Sequence, residues 1–252
     1  MSERPIFPRK KRAFSLIELL SVMGIMSVLL ALTVPAINAL KGGSDFTRGV
    51  DEVELTLNRA RTYAMTQNTY VWVGFYEESA LAQGATNTPP PYSGKGRVVM
   101  AVVASTDGTK IFDDGMAAAP LPEARLFPLG RVVKISGVHL ADVGSPTGSG
   151  QGAALDDRPA TPYQDDASEA GRISSAHAGR TPFPFAQNGY TFYKTLRFSP
   201  SGEVSINGSP VPRRLGEIGL IPTKGDQVMD ASENLAAIQF SGMGGNVRAY
   251  RR

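Results

Sequence analysis

Residues 14–40, FSLIELLSVMGIMSVLLALTVPAINAL, form an apolar run with a single charge, Glu18, near its start. The basic cluster Arg9-Lys10-Lys11-Arg12 precedes it. The 22 residues from Leu19 to Leu40 carry no charge. As a helix rising about 1.5 Å per residue they would span roughly 33 Å, close to a bilayer core of about 30 Å. Three kinds of segment fit: a secretory signal, a plain membrane anchor, or a helix that serves both export and assembly. A secretory signal has an apolar region of only about 7–15 residues, closed by a small-x-small site, and no such site closes this run. A plain anchor explains the length but not Glu18. An ionisable group costs on the order of 2.5–3.5 kcal/mol at the centre of a membrane helix, less near an end, so the anchor stays open only with Glu18 near the interface.

The stretch Ala13-Phe14-Ser15-Leu16-Ile17-Glu18-Leu19-Leu20 resembles the processing site of type IV prepilins and type II secretion pseudopilins. The resemblance implies that a prepilin peptidase cuts between Ala13 and Phe14 and that the new N-terminus at Phe14 is methylated. Glu18 then becomes the fifth mature residue, the family's characteristic glutamate. Pro35 becomes the twenty-second, where pilins often carry a helix-kinking proline. The chain departs from the family at Ala13, where Gly is usual. Ala is also small, so slower or altered cleavage is expected rather than none. The chemistry suits the resemblance. Once exposed, the α-amino group of Phe14 is a cation about one turn from Glu18, and pairing the two, within or between subunits, would neutralise both in lipid. Pro35 removes one backbone donor, which a membrane helix tolerates when neighbours satisfy the freed carbonyl.

The formal charge of +3 invites a nucleic-acid reading, but the basicity is concentrated in the leader. Residues 1–13 hold five of the 26 basic residues and one of the 23 acidic ones, leaving 21 against 22, a balance of −1. The basic flank also orients the helix, with the N-terminus in the cytoplasm and the rest translocated. Cysteine is absent, which excludes disulfides and thiol chemistry. A remainder of about 210 residues is long enough to bury a core without such staples.

After Gly42-Gly43 the pattern turns amphipathic. Phe46, Val50, Val53, Leu57, Ala60 and Ala64 recur at helical spacing, with Arg48, Asp51, Glu54, Arg59 and Arg61 off that stripe. Ser44 or Asp45 could cap a restarted helix, or the helix could continue through the glycines. Beyond Gln67 the chain reads as strands at Thr69–Tyr76, Arg97–Ala104, Lys110–Phe112, Arg131–Ile135, Thr191–Phe198, Glu203–Ile206, Glu217–Ile221, Leu235–Ser241 and Asn246–Tyr250. Ser199-Pro200-Ser201-Gly202, Asn207-Gly208 and Gly242-Met243-Gly244-Gly245 are hairpin joints. Such short connections predict antiparallel pairing. The fold class expected is α+β, a long N-terminal helix packed on one or more antiparallel sheets.

Leu196–Val204 (LRFSPSGEV) and Ile238–Arg251 (IQFSGMGGNVRAYR) are similar to the C-terminal half of H-type minor pseudopilins and FimT-like relatives. In those proteins a strand, a Pro-Ser-Gly turn and a final hairpin complete the sheet. The Gly-, Ser-, Ala-, Pro- and Asp-rich segment Ala141–Asn188, and Thr86–Lys95, read as exposed insertions, partly unordered.

Chemistry is sparse. His139 and His177 lack metal-ligand spacing. Gly148–Ala153 matches a loose dinucleotide pattern but neither follows a convincing strand nor opens a helix. Asp156, Asp157, Asp165 and Asp166 could supply oxygens to calcium, which some related major pseudopilins bind, but not at EF-hand spacing, so a solvated acidic loop is expected. No cofactor, no metal and no enzymatic activity is expected. Arg248, Arg251 and Arg252 flank Tyr250, and some FimT-like minor pilins engage DNA. A weak, salt-sensitive phosphate contact is therefore the alternative, although nucleic acid is not the expected partner.

The domains expected are a leader at 1–13, a transmembrane assembly helix at 14–41, and a periplasmic α+β domain at 42–252 carrying the 141–188 insertion. The expected partners are other pilin or pseudopilin subunits, the prepilin peptidase, the inner membrane and its assembly platform. The expected place is the bacterial inner membrane, crossed once, or an extracytoplasmic filament. The alternative outside this class is a membrane-anchored periplasmic binding module that does not assemble.

Overall fold

The structure, a computed structural model, describes residues 15–81, 94–112, 125–143, 155, 158–159, 172–173, 183, 185–206, 212, 214–229 and 234–252. The chain divides into two compact units, Met1–Lys41 and Gly42–Arg252. One helix, α1 (Leu16–Thr66), contributes to both, and Gly42-Gly43 lie inside it.

In the second unit α1 buries the predicted stripe. Phe46, Val50, Val53, Leu57, Ala60 and Ala64 are all buried. Each large aliphatic or aromatic side chain removed from water contributes about 1.5–3 kcal/mol. The helix stops at Asn68, whose φ of 49° is left-handed, while the Thr69 amide donates to the Ala64 carbonyl at 3.0 Å. This closing bond satisfies a terminal carbonyl that the helix leaves open.

The first sheet is built from β1 (Val71–Ser79), β2 (Gly96–Ser105), β3 (Leu126–Pro128) and β4 (Val133–Ser136). The second contains β5 (Val138–Ala141) and β6 (Arg172–Ile173), and β7 (Ala186–Gln187) with β8 (Tyr190–Thr191) forms a small hairpin. The first sheet is completed by β9 (Lys194–Phe198) and β10 (Val204–Ile206). The second is completed by β11 (Leu215–Lys224), β12 (Gln227–Val228), β13 (Ala236–Ser241) and β14 (Val247–Arg251). The first sheet runs β10-β9-β1-β2-β3, with β4 also on β2. The second runs β12-β11-β13-β14, with β5 and β6 also on β11.

All these pairings are antiparallel except β6 on β11. That parallel pair, Glu217 opposite Arg172 and Ile218 opposite Ile173, escapes the short-connection argument because a long segment separates its strands. The α+β expectation is met.

Alternation along the strands explains why both faces of each sheet are dry. Val71, Val73 and Phe75 of β1 and Ile218, Leu220, Ala236, Ile238 and Phe240 of β11 and β13 join the helix stripe in one core. The opposite face of the first sheet (Trp72, Val99, Ala101, Val103) is covered by Ile111, Phe112, Phe183 and Phe192. On the second sheet, Ile221, Leu235 and Ala237 are covered by Val143 and Leu155.

Three expectations are corrected here. Lys110–Phe112 is not a strand. Ile111 and Phe112 are buried, 4% exposed each, as plugs on the outer face of the first sheet. The 141–188 segment is not only a solvated insertion, because its described residues Val143, Leu155, Arg158, Ile173 and Phe183 are buried. The predicted strand Thr191–Phe198 is interrupted at Phe192, which leaves the ladder to seat its ring over Gly74. A Cβ on Gly74 would lie 2.5 Å from that ring. The calls on Gly148–Ala153, the four aspartates, His177 and Asn207-Gly208 lie outside the described residues.

Close backbone approach makes one glycine testable. A Cβ on Gly219 would come within 2.2 Å of the Ala141 carbonyl oxygen on the neighbouring strand. Backbone cannot swing aside as a side chain can. Gly219→Ala should therefore cost about 1–3 kcal/mol, read as a lower denaturant midpoint at unchanged slope. A midpoint equal to wild type would mean that β5 and β11 are not paired as described.

Candidate functional site

In the first unit the apolar helix has, among the described residues, nothing packed on it. Leu16–Thr33 is, among the described residues, the one helical stretch long and apolar enough to cross a membrane, and every residue in it is exposed. Within a bilayer each polar group on such a helix needs a partner. The three hydroxyls find theirs on the preceding turn. Ser21 donates to the Ile17 carbonyl at 2.8 Å, Ser27 to Met23 at 2.8 Å and Thr33 to Leu29 at 3.1 Å. Glu18 is left as the sole charge in the stretch.

Glu18 is held by the helix start itself. The Ser15 amide donates to Glu18 Oε2 at 2.9 Å, and the Glu18 amide donates to Ser15 Oγ at 3.2 Å. This reciprocal pair is a capping box, which satisfies two amides at the end of the helix. The sequence reading passed over Ser15, although Ser-x-x-Glu before an apolar run is the motif's signature. Ala13 and Phe14 lie outside the described residues, and Pro35 lies within α1, where side chains are not described.

A family model described as the prokaryotic N-terminal methylation motif matches residues 8–34. The N-terminal segment is type IV prepilin-like. No curated protein and no solved structure matches the chain. The prepilin-like match covers the leader's end and the apolar helix, so the β-rich unit has to be read from its own geometry.

The C-terminal arginines are not gathered into one open cationic patch. Arg251 is bonded to Asp51 on α1 and lies 3.8 Å from Glu54, and the Arg248 guanidinium stacks 4.9 Å from the centre of the Tyr250 ring. Arg252 is exposed.

Ionisable groups inside the domain serve as ties between its layers. His139 Nδ1 and Glu77 Oε1 are 2.5 Å apart, and the same oxygen accepts the Leu140 amide at 3.1 Å. This couples β1 of the first sheet to β5 of the second. No group of three or more metal-binding side chains occurs among the described residues.

Glu78 sits in a denser network, bonded by Arg97 at 3.0 Å, Tyr190 Oη at 2.8 Å and Lys134 at 3.3 Å. Burial pushes its carboxyl up, but the bonds from Arg97 and Tyr190 and the charge of Lys134 outweigh it and hold Glu78 below the ordinary carboxylate range. A carboxylate depressed in this way contributes stability that is complete above its unfolded value, about 4.3, and fades as pH falls through the lower, folded value. Acid unfolding should therefore steepen below about pH 4, and Glu78→Gln should flatten that limb in a denaturation series. An unchanged acid limb in Glu78→Gln would remove Glu78 from the account.

Proposed function

We propose that this chain is a structural, non-enzymatic subunit of a pilin-like filament, and more narrowly an H-type minor pseudopilin of a type II secretion system. The observation that carries the reading is the methylation motif over residues 8–34, coinciding with a wholly exposed apolar helix whose one charge is Glu18. Such a helix is an unsatisfied surface that lipid covers before assembly and sister helices cover after it. The leader, residues 1–13, keeps the N-terminus in the cytoplasm, and the domain from residue 42 lies on the other side of the inner membrane.

In this reading the prepilin peptidase cuts between Ala13 and Phe14, and Phe14 is then methylated. Glu18 neutralises an N-terminal ammonium, and Pro35 lets the helix adapt to its neighbours. The narrower assignment leans on the C-terminal architecture. In the Ser199–Gly202 turn the Gly202 amide returns to the Ser199 carbonyl at 2.9 Å. The closing β13–β14 hairpin is tied to α1 by Arg61, which donates to the Gly244 carbonyl at 2.8 Å.

The decisive experiment is mass and N-terminal sequence of the protein recovered from membranes, with and without the peptidase. The expected product begins at methylated Phe14 only when the peptidase is present. A chain still carrying Met1 or Ser2 in both samples would leave a plain anchor.

A further inference from the structure

We propose that the free edge of β14 is a docking site for an extended, acidic segment of another protein chain, which adds to the second sheet as one more strand. The inference uses the second unit alone and stands apart from processing and filament assembly.

Its ground is the direction of the backbone groups. The Ser241 amide donates to the Asn246 carbonyl at 3.0 Å, and the Arg252 amide to the Leu235 carbonyl at 3.1 Å. In an antiparallel ladder bonded and non-bonded pairs alternate. The pairs Gln239–Arg248 and Ala237–Tyr250 share the parity of those two and are bonded as well. The amides and carbonyls of Val247, Ala249 and Arg251 therefore point away from β13. On that side β14 ends the second sheet, with no further strand on it among the described residues.

Two other edges are closed. The outward amide of Leu140 on β5 donates to Glu77 Oε1 at 3.1 Å. That of Val204 on β10 donates to the Gly242 carbonyl at 2.7 Å. An edge left with both donors and acceptors at strand spacing is a template for an added strand.

The side chains say which strand. Val247 and Ala249 lie on the helix side, packed against the main core. Tyr250 lies on the other side, against the patch that holds Leu235 and Ala237. Arg248 is exposed and rests on the Tyr250 ring rather than on a carboxylate, and Arg252 is exposed beyond it. A second copy fits this edge badly. Pairing β14 with its own image would crowd both sets of these arginines onto one face, and like charges on facing strands repel. Nucleic acid fits it badly too. Phosphates accept from amides but donate nothing to carbonyls, and Asp51 and Glu54 of α1, which meet Arg251, repel them. A peptide with carboxylates at alternate positions and small apolar residues between them satisfies the backbone, Arg248 and the Val247–Ala249 side together.

The test uses the full-length chain in detergent and a fluorescent, end-blocked peptide Glu-Val-Glu-Val-Glu-Val, with binding followed by anisotropy. Saturable binding is expected. The amides of Val247, Ala249 and Arg251 should exchange fast in the free chain and become protected in the complex. The same peptide methylated at every backbone nitrogen keeps its charge and side chains, and should bind more than about tenfold more weakly. Ala249→Pro removes one outward donor but leaves the ladder to β13 whole, so it should weaken binding about tenfold with thermal unfolding near that of wild type. Arg248→Ala should weaken binding about threefold and lessen its salt dependence. Equal binding of the parent and methylated peptides overturns the proposal, as does absence of binding to the wild-type chain. So does binding that leaves the three outward amides unprotected. Tighter binding of a single-stranded oligonucleotide of equal charge overturns it in favour of nucleic acid. Should Ala249→Pro fail to fold, the methylated peptide still decides.

Discussion

Glu18→Ala should abolish incorporation into filaments while leaving the thermal unfolding of the detergent-solubilised chain unchanged. The second half follows from packing. Glu18 is exposed and is not among the buried residues of the described core. The first half follows from charge. A carboxylate on a lipid-facing helix costs up to about 3 kcal/mol unless compensated. In the proposed reading the partner is the methylated N-terminus at Phe14, a secondary ammonium that remains cationic at neutral pH. In a low-dielectric bundle of helices that pairing separates a correctly registered subunit from a misplaced one. Loss of a few kcal/mol per contact, repeated along a filament, corresponds to a more than about hundredfold loss of assembled protein. Glu18→Gln is the informative companion. It keeps the capping box but not the charge, so it should be processed normally and still fail to assemble. Sheared-filament yield and cross-linking between subunits are the readouts. Wild-type incorporation of both variants would remove Glu18 from the account of assembly, whereas absence of the wild-type chain itself from sheared filaments would favour an anchored module that never assembles.

The elements legible in the sequence were those in which many residues say the same thing. The stripe from Phe46 to Ala64 repeats its message six times, and all six side chains are buried. The β-branched runs of β1 and β2 announce themselves similarly, in strands dry on both faces. The apolar helix and its lone glutamate were read from charge spacing alone, and the family match falls on the same residues.

Features resting on one or two residues were lost. Ser15 is a single hydroxyl in an apolar context. Asn188-Gly189 is a hairpin signal that went unread, yet both residues have positive φ, 51° and 81°, between β7 and β8. The parallel β6 is two residues long, too short for any periodicity. Composition misled most in the 141–188 segment. Averaged over its glycines and serines it reads as solvated, but averages hide the few side chains that are buried.

That segment carries the second large prediction. Arg158 is fully buried and donates to Glu217 Oε1 at 3.0 Å. Glu217 and Gln239 are cross-strand neighbours on β11 and β13. The Gln239 amide nitrogen donates to the other Glu217 oxygen at 3.0 Å and to the Pro159 carbonyl at 2.8 Å. The two strands therefore hold residues 158 and 159 by side chain and by backbone at once, while Leu155 fills the apolar patch beside Ile221 and Ala237. Arg158→Met should cost about 3–5 kcal/mol, because Glu217 stays buried without the guanidinium. For a domain of this size that is a fall on the order of 10 °C in Tm. Arg158→Met with Glu217→Gln should recover most of the loss, since a buried ion pair replaced as a whole is often neutral. If the single change costs less than about 1 kcal/mol, the value of an exposed pair, then the segment is the solvated insertion its composition suggests. The outer face of the second sheet would then be open to a partner.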